Sequence, residues 1–317
     1  MSRPPHQTSP LPGRSPAIAD GSTFAPALRL LEEPLRSDVA TLYSVLRSLD
    51  DLVDEEDPNA RQRVAAVELW AQGRLPSAAQ APEALETRDA IETPETRALR
   101  RLASRHPIPR ASILQFCAGM RHDIAHASVR DDRELMRYCQ QAGGSVGEVL
   151  ASILGSAKDD EEGRSAARAG IATLGRAMQV TNILRDIDED LEHGRIYLPQ
   201  SAMKRFGLRR SGEWQAREGG RETSPGGWEA LLSHYIALAD DLYEEGERAI
   251  ELLAHGRDAM SLAAALYREI LRQIERDGFG VKVDAKAGRT MTSSERTREL
   301  RGRGAGSAEA AKEERRG

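Results

Sequence analysis

Gln179-Val-Thr-Asn182-Ile-Leu-Arg185-Asp186-Ile-Asp188-Glu189-Asp190 carries a pattern from which the rest of the chain can be read. Gln179, Asn182, Asp186 and Asp190 step by three, four and four positions, the spacing that stacks side chains on one face of an α-helix. Ile183, Leu184 and Ile187 offer apolar surface beside that face. Immediately downstream, in His193-Gly194-Arg195-Ile-Tyr197-Leu-Pro199, Gly194 and Pro199 bracket the helix end. Arg195 and Tyr197 therefore sit on a turn able to fold back toward the stripe.

The same device occurs more than a hundred residues earlier, in Tyr43-Ser-Val-Leu-Arg47-Ser-Leu-Asp50-Asp51-Leu-Val-Asp54-Glu55. In a helix Tyr43, Arg47, Asp50 or Asp51, and Asp54 make one polar stripe opposite the leucines. Like-charged Asp50 and Asp54, one turn apart, cost an isolated helix about a few tenths of a kcal/mol, which a bound cation would reverse. Alone, this segment also reads as a solvated acidic helix end; its recurrence argues for shared work. Paired Asp oxygens suit Mg²⁺, a hard ion that keeps positions open for phosphate. Arg47, Arg185 and Arg195 would neutralise charge developing on a diphosphate leaving group.

Apolar residues at three- and four-residue spacing predict helices over Ala25 to Glu56 with a break at Pro34, Ala60 to Gln72, Glu95 to Arg105, Arg110 to Ala127, Asp131 to Leu154, Ser165 to Leu191, Trp228 to Ala254 and Asp258 to Arg276. Aromatic residues make up only 4% of the 317, and few β-branched alternating segments compete, so the fold class is all-α. Leu208 to Gly227, with its glycines and Pro225, reads as a surface loop within one bundle. Residues 1–20 and 290–317, rich in Pro and Ser or in Gly, Arg and Glu, read as disordered, leaving 21–289 as one domain.

Forty-five basic against fifty acidic residues give a net charge of −5, which implies no nucleic-acid partner. Cys117 and Cys139 are too few for a disulfide framework or a cysteine-rich zinc site, and read as buried thiols in a cytoplasmic protein. No run approaches the roughly 18 apolar residues of a membrane span, so any membrane contact is expected to be peripheral, at the inner membrane face. No obligatory protein partner is evident.

At these residues the chain resembles the squalene/phytoene synthase family. Its two motifs read approximately Tyr-x-x-x-Arg-x-x-Asp-Asp-x-x-Asp and Gln-x-x-Asn-x-x-Arg-Asp-x-x-x-Asp, the second followed by Gly-Arg-x-Tyr-x-Pro. Ser22-Thr23-Phe24, Tyr138-Cys139 through Gly144-Ser145-Val146-Gly147, Gln115 to Asp123, and Tyr267-x-x-Ile-Leu-x-x-Ile274 extend the likeness over roughly Ser22 to Gly280. The resemblance implies a single-domain isoprenoid synthase bundle whose two motifs face each other across a central cavity. It implies Mg²⁺, with Mn²⁺ as an alternative, on Asp50, Asp54, Asp186 and Asp190, assisted by Asn182 and Gln179. Arg47 and Arg185 would engage diphosphate, and Tyr43 would line the reaction centre. Ser22, Phe24, Tyr138, Val146, Gly147, Arg195, Tyr197 and Tyr267 are the substrate-pocket candidates. The implied reaction joins two prenyl diphosphates head to head through a cyclopropylcarbinyl diphosphate. Two C20 units (geranylgeranyl diphosphate) would give phytoene; C15 units would give dehydrosqualene, hydroxysqualene or, with NADPH, squalene. Departures are Val45-Leu46-Arg47 where many relatives have Phe-Cys-Arg, and Gly143-Gly144 in place of Ala-Gly; neither removes a metal ligand.

His122 and His126 stand one turn apart, but no glutamate follows His122 as a metalloprotease helix would require. Asp159 to Glu162 reads as a solvated turn, and Glu244-Glu245-x-Glu247 as a solvated helix face. A chain-elongating prenyltransferase would share Asp50-Asp51-x-x-Asp54 but would carry a second Asp-Asp-x-x-Asp. A non-catalytic assembly factor of the same fold would be expected to lose its aspartates, and here both clusters are intact.

Overall fold

The computed structural model describes residues 23–74, 92–208 and 226–279. Ser22, the expected disordered ends and nearly all of the Leu208 to Gly227 connection lie outside the described residues. Those described are helical, in the order α1 Ala25–Leu28, α2 Leu35–Asp54, α3 Ala60–Ala71, α4 Pro94–Ala103, α5 Arg110–Ile124, α6 Asp132–Cys139, a π-turn Gln140–Gly144, α7 Ser145–Leu154, α8 Glu161–Arg185, α9 Ile187–Glu192, α10 Gln200–Arg205, α11 Gly227–Arg248, a 3₁₀ turn Ala249–Leu252 and α12 Arg257–Arg276. Among them no helix is long and apolar enough to cross a membrane.

Helix α2 follows the expected break at Pro34 and buries Val39, Leu42, Val45, Leu49 and Val53 on one face; Leu46, expected on that face, is only partly buried. Three starts are set by side-chain caps on otherwise unpaired amides. Thr93 accepts from Thr96 N at 3.3 Å, Asp131 from Glu134 N at 2.9 Å and Asp160 from Gly163 N at 2.6 Å. Within the Asp159 to Glu162 turn, then, Asp160 has a structural job. Glu244 and Glu245 are exposed as expected, although Glu245 also accepts from Thr173 at 3.3 Å.

The long α8 is the axis of the bundle, packed by α6, the π-turn, α7, α11, the 3₁₀ turn and α12. Its Ile171, Leu174, Ala177, Val180 and Leu184 are all buried. Glycines allow the neighbours in close: a Cβ on Gly147 would lie 2.3 Å from Ile171 O, and one on Gly246 would lie 2.7 Å from Leu174 N. Helix α2 packs on α3, α4, α5 and α7. Helix α7 thus stands between the two motif-bearing helices and fixes their separation.

Two expected helices are interrupted, and a third, Trp228 to Ala254, gives way after Arg248 to the 3₁₀ turn. Asp131 to Leu154 contains the π-turn, whose wider winding lets Gly143 lie against Gly175 of α8. Ser165 to Leu191 breaks at Asp186, where φ −101° and ψ 13° end α8 and α9 begins on a new course. The six-residue α10, which the periodicity did not reveal, follows Pro199. It is tied to the α5–α6 connection by Gln200 N to Val129 O at 3.1 Å and Ser201 N to Arg130 O at 3.0 Å.

Candidate active site

Because α2 buries its leucine face, its last turns present Tyr43, Arg47, Asp50, Asp51 and Asp54 on the other side. Arg47 pairs with Asp50 at 3.3 Å and with Asp51 at 2.7 Å, and Tyr43 lies within its electrostatic reach. Asp50 keeps 43% of its side chain accessible, yet desolvation, followed by repulsion from Asp54, pushes its pKa up to about 7.

The second stripe follows the α8–α9 junction. Asn182 Nδ2 makes a long 3.5 Å contact with Gln179 Oε1, and Asn182 Oδ1 is buried without a hydrogen-bond partner. Arg185 holds Asp186 through Nε to Oδ1 at 2.7 Å and Nη2 to Oδ2 at 2.5 Å, and Tyr267 of α12 lies near enough to act on its charge. Desolvation, followed by Asp186, raises Asp190 to about 8. Gly194, at φ 71°, takes the left-handed conformation that ends α9. The chain turns back as expected, with Arg195 N donating to Asp190 O at 2.8 Å. The Arg195 side chain crosses to the first motif, donating from Nη1 to Asp54 Oδ1 and from Nη2 to Val53 O at 3.0 Å.

A third helix adds a carboxylate not assigned to the site from sequence. Asp123, at the end of α5, is buried and accepts from Tyr197 Oη at 2.7 Å and Tyr138 Oη at 3.2 Å. The two phenol rings stack at 4.7 Å, and His122 lies 5.0 Å from Tyr138. Burial pushes the Asp123 pKa up to about 6 against the opposing pull of the two tyrosines, and it acts on Asp50 and Asp190. The available signal was an Asp at the next step of the Ile113, Phe116, Met120 stripe, a carboxylate on an apolar face.

Tyr138, Tyr197 and Arg195, expected as pocket residues, thus meet the metal candidates around Asp123 and Asp54. Phe24, Val146 and Tyr267 are partly buried against the core. Gly147, by contrast, abuts the α8 backbone and serves helix packing. His122 is taken up by the aromatic stack, and His126 faces Glu56 at 4.0 Å. Cys117 and Cys139 are buried free thiols, each pushed up to about 12 by burial.

Among the described residues no three acidic, His or Cys side chains form a closed metal cage. Mg²⁺ does not need one, since it commonly binds one or two carboxylates and takes its remaining oxygens from water and phosphate. The donor set fits that ion. Asp50 and Asp190 offer hard carboxylate oxygens that both feel the charges of Asp54 and Asp123, and Asn182 Oδ1 is a buried acceptor whose open valence costs about 1–3 kcal/mol.

Residues 19–296 match the squalene/phytoene synthase family. The chain belongs to that family. It is 33% identical to the phytoene synthase of Thermus thermophilus over 82% of this chain and 81% of that one. Against the phytoene synthase of Mycobacterium tuberculosis it is 31% identical, over 79% and 76%. A presqualene diphosphate synthase of Rhodopseudomonas palustris is 31% identical over 63% of this chain and 66% of its own. In fold, the chain superposes on a ligand-bound dehydrosqualene synthase with a TM-score of 0.66 at 24% identity, covering 91% of this chain and 92% of that one. The squalene synthase of Alicyclobacillus acidocaldarius gives 0.64 at 24%, covering 81% and 89%. This synthase therefore has the terpenoid-synthase bundle and is a prenyltransferase of isoprenoid biosynthesis that condenses prenyl diphosphates head to head. The elongating prenyltransferase and the non-catalytic assembly factor both fall away.

Tyr197→Phe removes the shorter hydrogen bond to Asp123, at an expected cost of about 1–3 kcal/mol of unfolding free energy at pH 8, where Asp123 is ionised. The loss should shrink at pH 5, below the raised pKa, where the carboxyl carries its own proton. Urea denaturation at both pH values reads the difference, and equal losses would remove Asp123 as the partner that matters.

Proposed function

We propose that this synthase condenses two geranylgeranyl diphosphates to phytoene, with a divalent cation, Mg²⁺ or in its place Mn²⁺, on the two aspartate motifs. The observations that support the cation site are the charges of Asp54 and Asp123 acting on both Asp50 of the first motif and Asp190 of the second, and the Arg195 side chain that ties the turn after the second motif to Asp54. The C20 substrate is favoured by the phytoene synthases among the relatives at 30–33% identity.

Asp50, Asp54, Asp186 and Asp190, with Asn182 Oδ1, would hold the cation, which supplies positive charge to diphosphate oxygens and makes the diphosphate a better leaving group. Arg47 and Arg185, each now resting on a neighbouring aspartate, exchange that partner for a diphosphate oxygen. Asp123, between two tyrosines and near neutrality in pKa, suits the uptake of a proton lost from a carbocation. Tyr138 and Tyr197 hold it in place, and the surrounding apolar core keeps out water that would quench the cation.

Product analysis with purified protein, Mg²⁺ and either C20 or C15 prenyl diphosphate, with and without NADPH, tests this. A C40 hydrocarbon from C20 substrate supports phytoene formation. A C30 product would move the assignment to the squalene or dehydrosqualene side, and only an NADPH-dependent C30 product would bring that reductant in.

Cation binding is also expected to depend on pH. Asp50 and Asp190 hold protons up to about 7 and about 8, so a cation must displace them. Affinity for Mg²⁺ should rise between pH 6 and 8 by up to about tenfold per unit for each proton displaced, and level off above. For the metal-free protein the sign is reversed. Folded pKa values above the ordinary 3.8 mean that the folded state binds more protons, so this contribution to stability is present below about 4 and is lost as pH rises through about 8. The Mg²⁺-induced rise in Tm should thus be larger at pH 8.5 than at pH 6 by scanning calorimetry. A pH-independent Mg²⁺ effect would place the cation elsewhere.

A further inference from the structure

The turn after α9 joins the two motifs through one side chain. Arg195 is only 7% exposed. Its backbone N–H is fixed to Asp190 O at 2.8 Å in the second motif, while Nη1 and Nη2 reach Asp54 and Val53 at the end of α2, 141 and 142 positions away in sequence. Its charge also acts on Asp123 and Asp190. Arg47 and Arg185 do nothing comparable, since each pairs within its own motif. The Arg195 Nε–H is buried and has no partner. A buried donor left open is unusual, and here it belongs to a guanidinium that joins the two motifs.

We infer that Arg195 is a positioning residue rather than a first contact for substrate. It is a resident counter-cation that holds Asp54 and the 193–199 turn together while no metal is bound, and it gives up Asp54 when the cation arrives. The geometry sets the exchange. Nη1 takes one acceptor site of Asp54 Oδ1, so a divalent ion on either oxygen of that carboxylate sits beside a guanidinium and is repelled by it. Either way Arg195 opposes cation binding in the absence of diphosphate. Once released, Nη1 is free to donate to a phosphate oxygen, and the open Nε–H, on the Nη2 side of the guanidinium, offers a second donor. The order of events follows: the cation loosens the clamp, and the diphosphate takes up the freed guanidinium.

The inference rests on the aspartates being the cation site, and the experiment separates the two. Full-length Arg195→Met and Arg195→Lys, each with and without Asp54→Asn, are compared for metal-free Tm, for Mg²⁺ affinity by calorimetry without diphosphate, and for inorganic pyrophosphate affinity with Mg²⁺ present. Arg195→Met should lower the metal-free Tm and tighten Mg²⁺ binding several-fold. Arg195→Lys, which keeps the charge without the two-pronged reach, should fall between it and the wild type and carries the test if Arg195→Met does not fold. The Tm loss should vanish in the Asp54→Asn background, the non-additivity expected of direct partners. Unchanged Mg²⁺ affinity with a loss confined to pyrophosphate would make Arg195 a substrate contact and overturn the inference, as would an equal Tm loss in both backgrounds. If Mg²⁺ binds neither wild type nor variants, the cation site itself falls, and with it the exchange.

Discussion

Asp50→Asn is expected to lower turnover by about 10²–10³-fold, the scale seen when one group stabilising a developing charge is lost, without lowering the metal-free Tm at pH 8. The two halves of that result come from the same surroundings. Asp50 is desolvated and repelled by Asp54 and Asp123, which is why it holds a proton up to about 7. An uncharged amide of the same shape relieves that repulsion. Arg47 keeps its shorter contact, 2.7 Å to Asp51, so the helix surface is not left with an unpaired cation. A carboxylate kept for structure would behave in the opposite way, losing stability with little effect on rate. Asp51→Asn is the matched control. Its side chain is 45% exposed and bound to Arg47, and its removal should cost about tenfold, the low end of the range for an outlying support of a metal ligand. Steady-state kinetics with thermal denaturation at pH 8 reads both variants. Retained turnover in Asp50→Asn would remove Asp50 from the cation site, and a clear fall in Tm would make it the counter-ion of Arg47.

How legible the site was depended on the range of the interactions that build it. The stripes through Tyr43, Arg47, Asp50 and Asp54, and through Gln179, Asn182, Asp186 and Asp190, are properties of one turn of helix, and three- and four-residue spacing displays them directly. Gly194 and Pro199 marked the turn after α9 for the same reason. The break at Asp186 was hidden because polar spacing runs across it unchanged; only the bond from Arg185 to its neighbour and the new course of α9 reveal it. The π-turn was hidden because its cause lies on another helix, where Gly175 admits Gly143. Asp123 was passed over because one carboxylate makes no pattern, although its place on an apolar stripe was a usable clue. The partner of Arg195 lies 141 residues upstream, so local spacing could suggest that the turn folds back but not which oxygen it meets.

Gly175→Ala is expected to show how far the site depends on that hidden contact. A Cβ at Gly175 would lie 2.3 Å from Gly143 O and 2.8 Å from Gly143 C, both backbone atoms that cannot rotate aside. The reciprocal Cβ at Gly143 would meet Gly175 O at 2.3 Å and Gln179 Cβ at 2.8 Å, so α8 and the π-turn touch along the face that leads to Gln179 and Asn182. On the opposite side α8 is backed by α11, where a Cβ on Gly246 would already be 2.7 Å from Leu174 N. With no slack on either side, one added methyl must part the π-turn from α8 or shift α8 along α11. Overpacking of this kind costs about 1–3 kcal/mol, or roughly 2–12 °C in Tm at about 2–4 °C per kcal/mol. The larger effect should be on rate. Helix α8 carries Gln179, Asn182 and Arg185 and ends at Asp186, and a displacement of about 1 Å in such a set costs on the order of 10²-fold. The stability loss alone would leave most molecules folded at 25 °C, so a hundredfold fall in kcat measured there, well below the new Tm, isolates misplacement of the stripe from unfolding. Turnover and Tm both at wild-type values would show that the two glycines do not meet backbone to backbone, and that α7 and the π-turn do not set the position of the second motif.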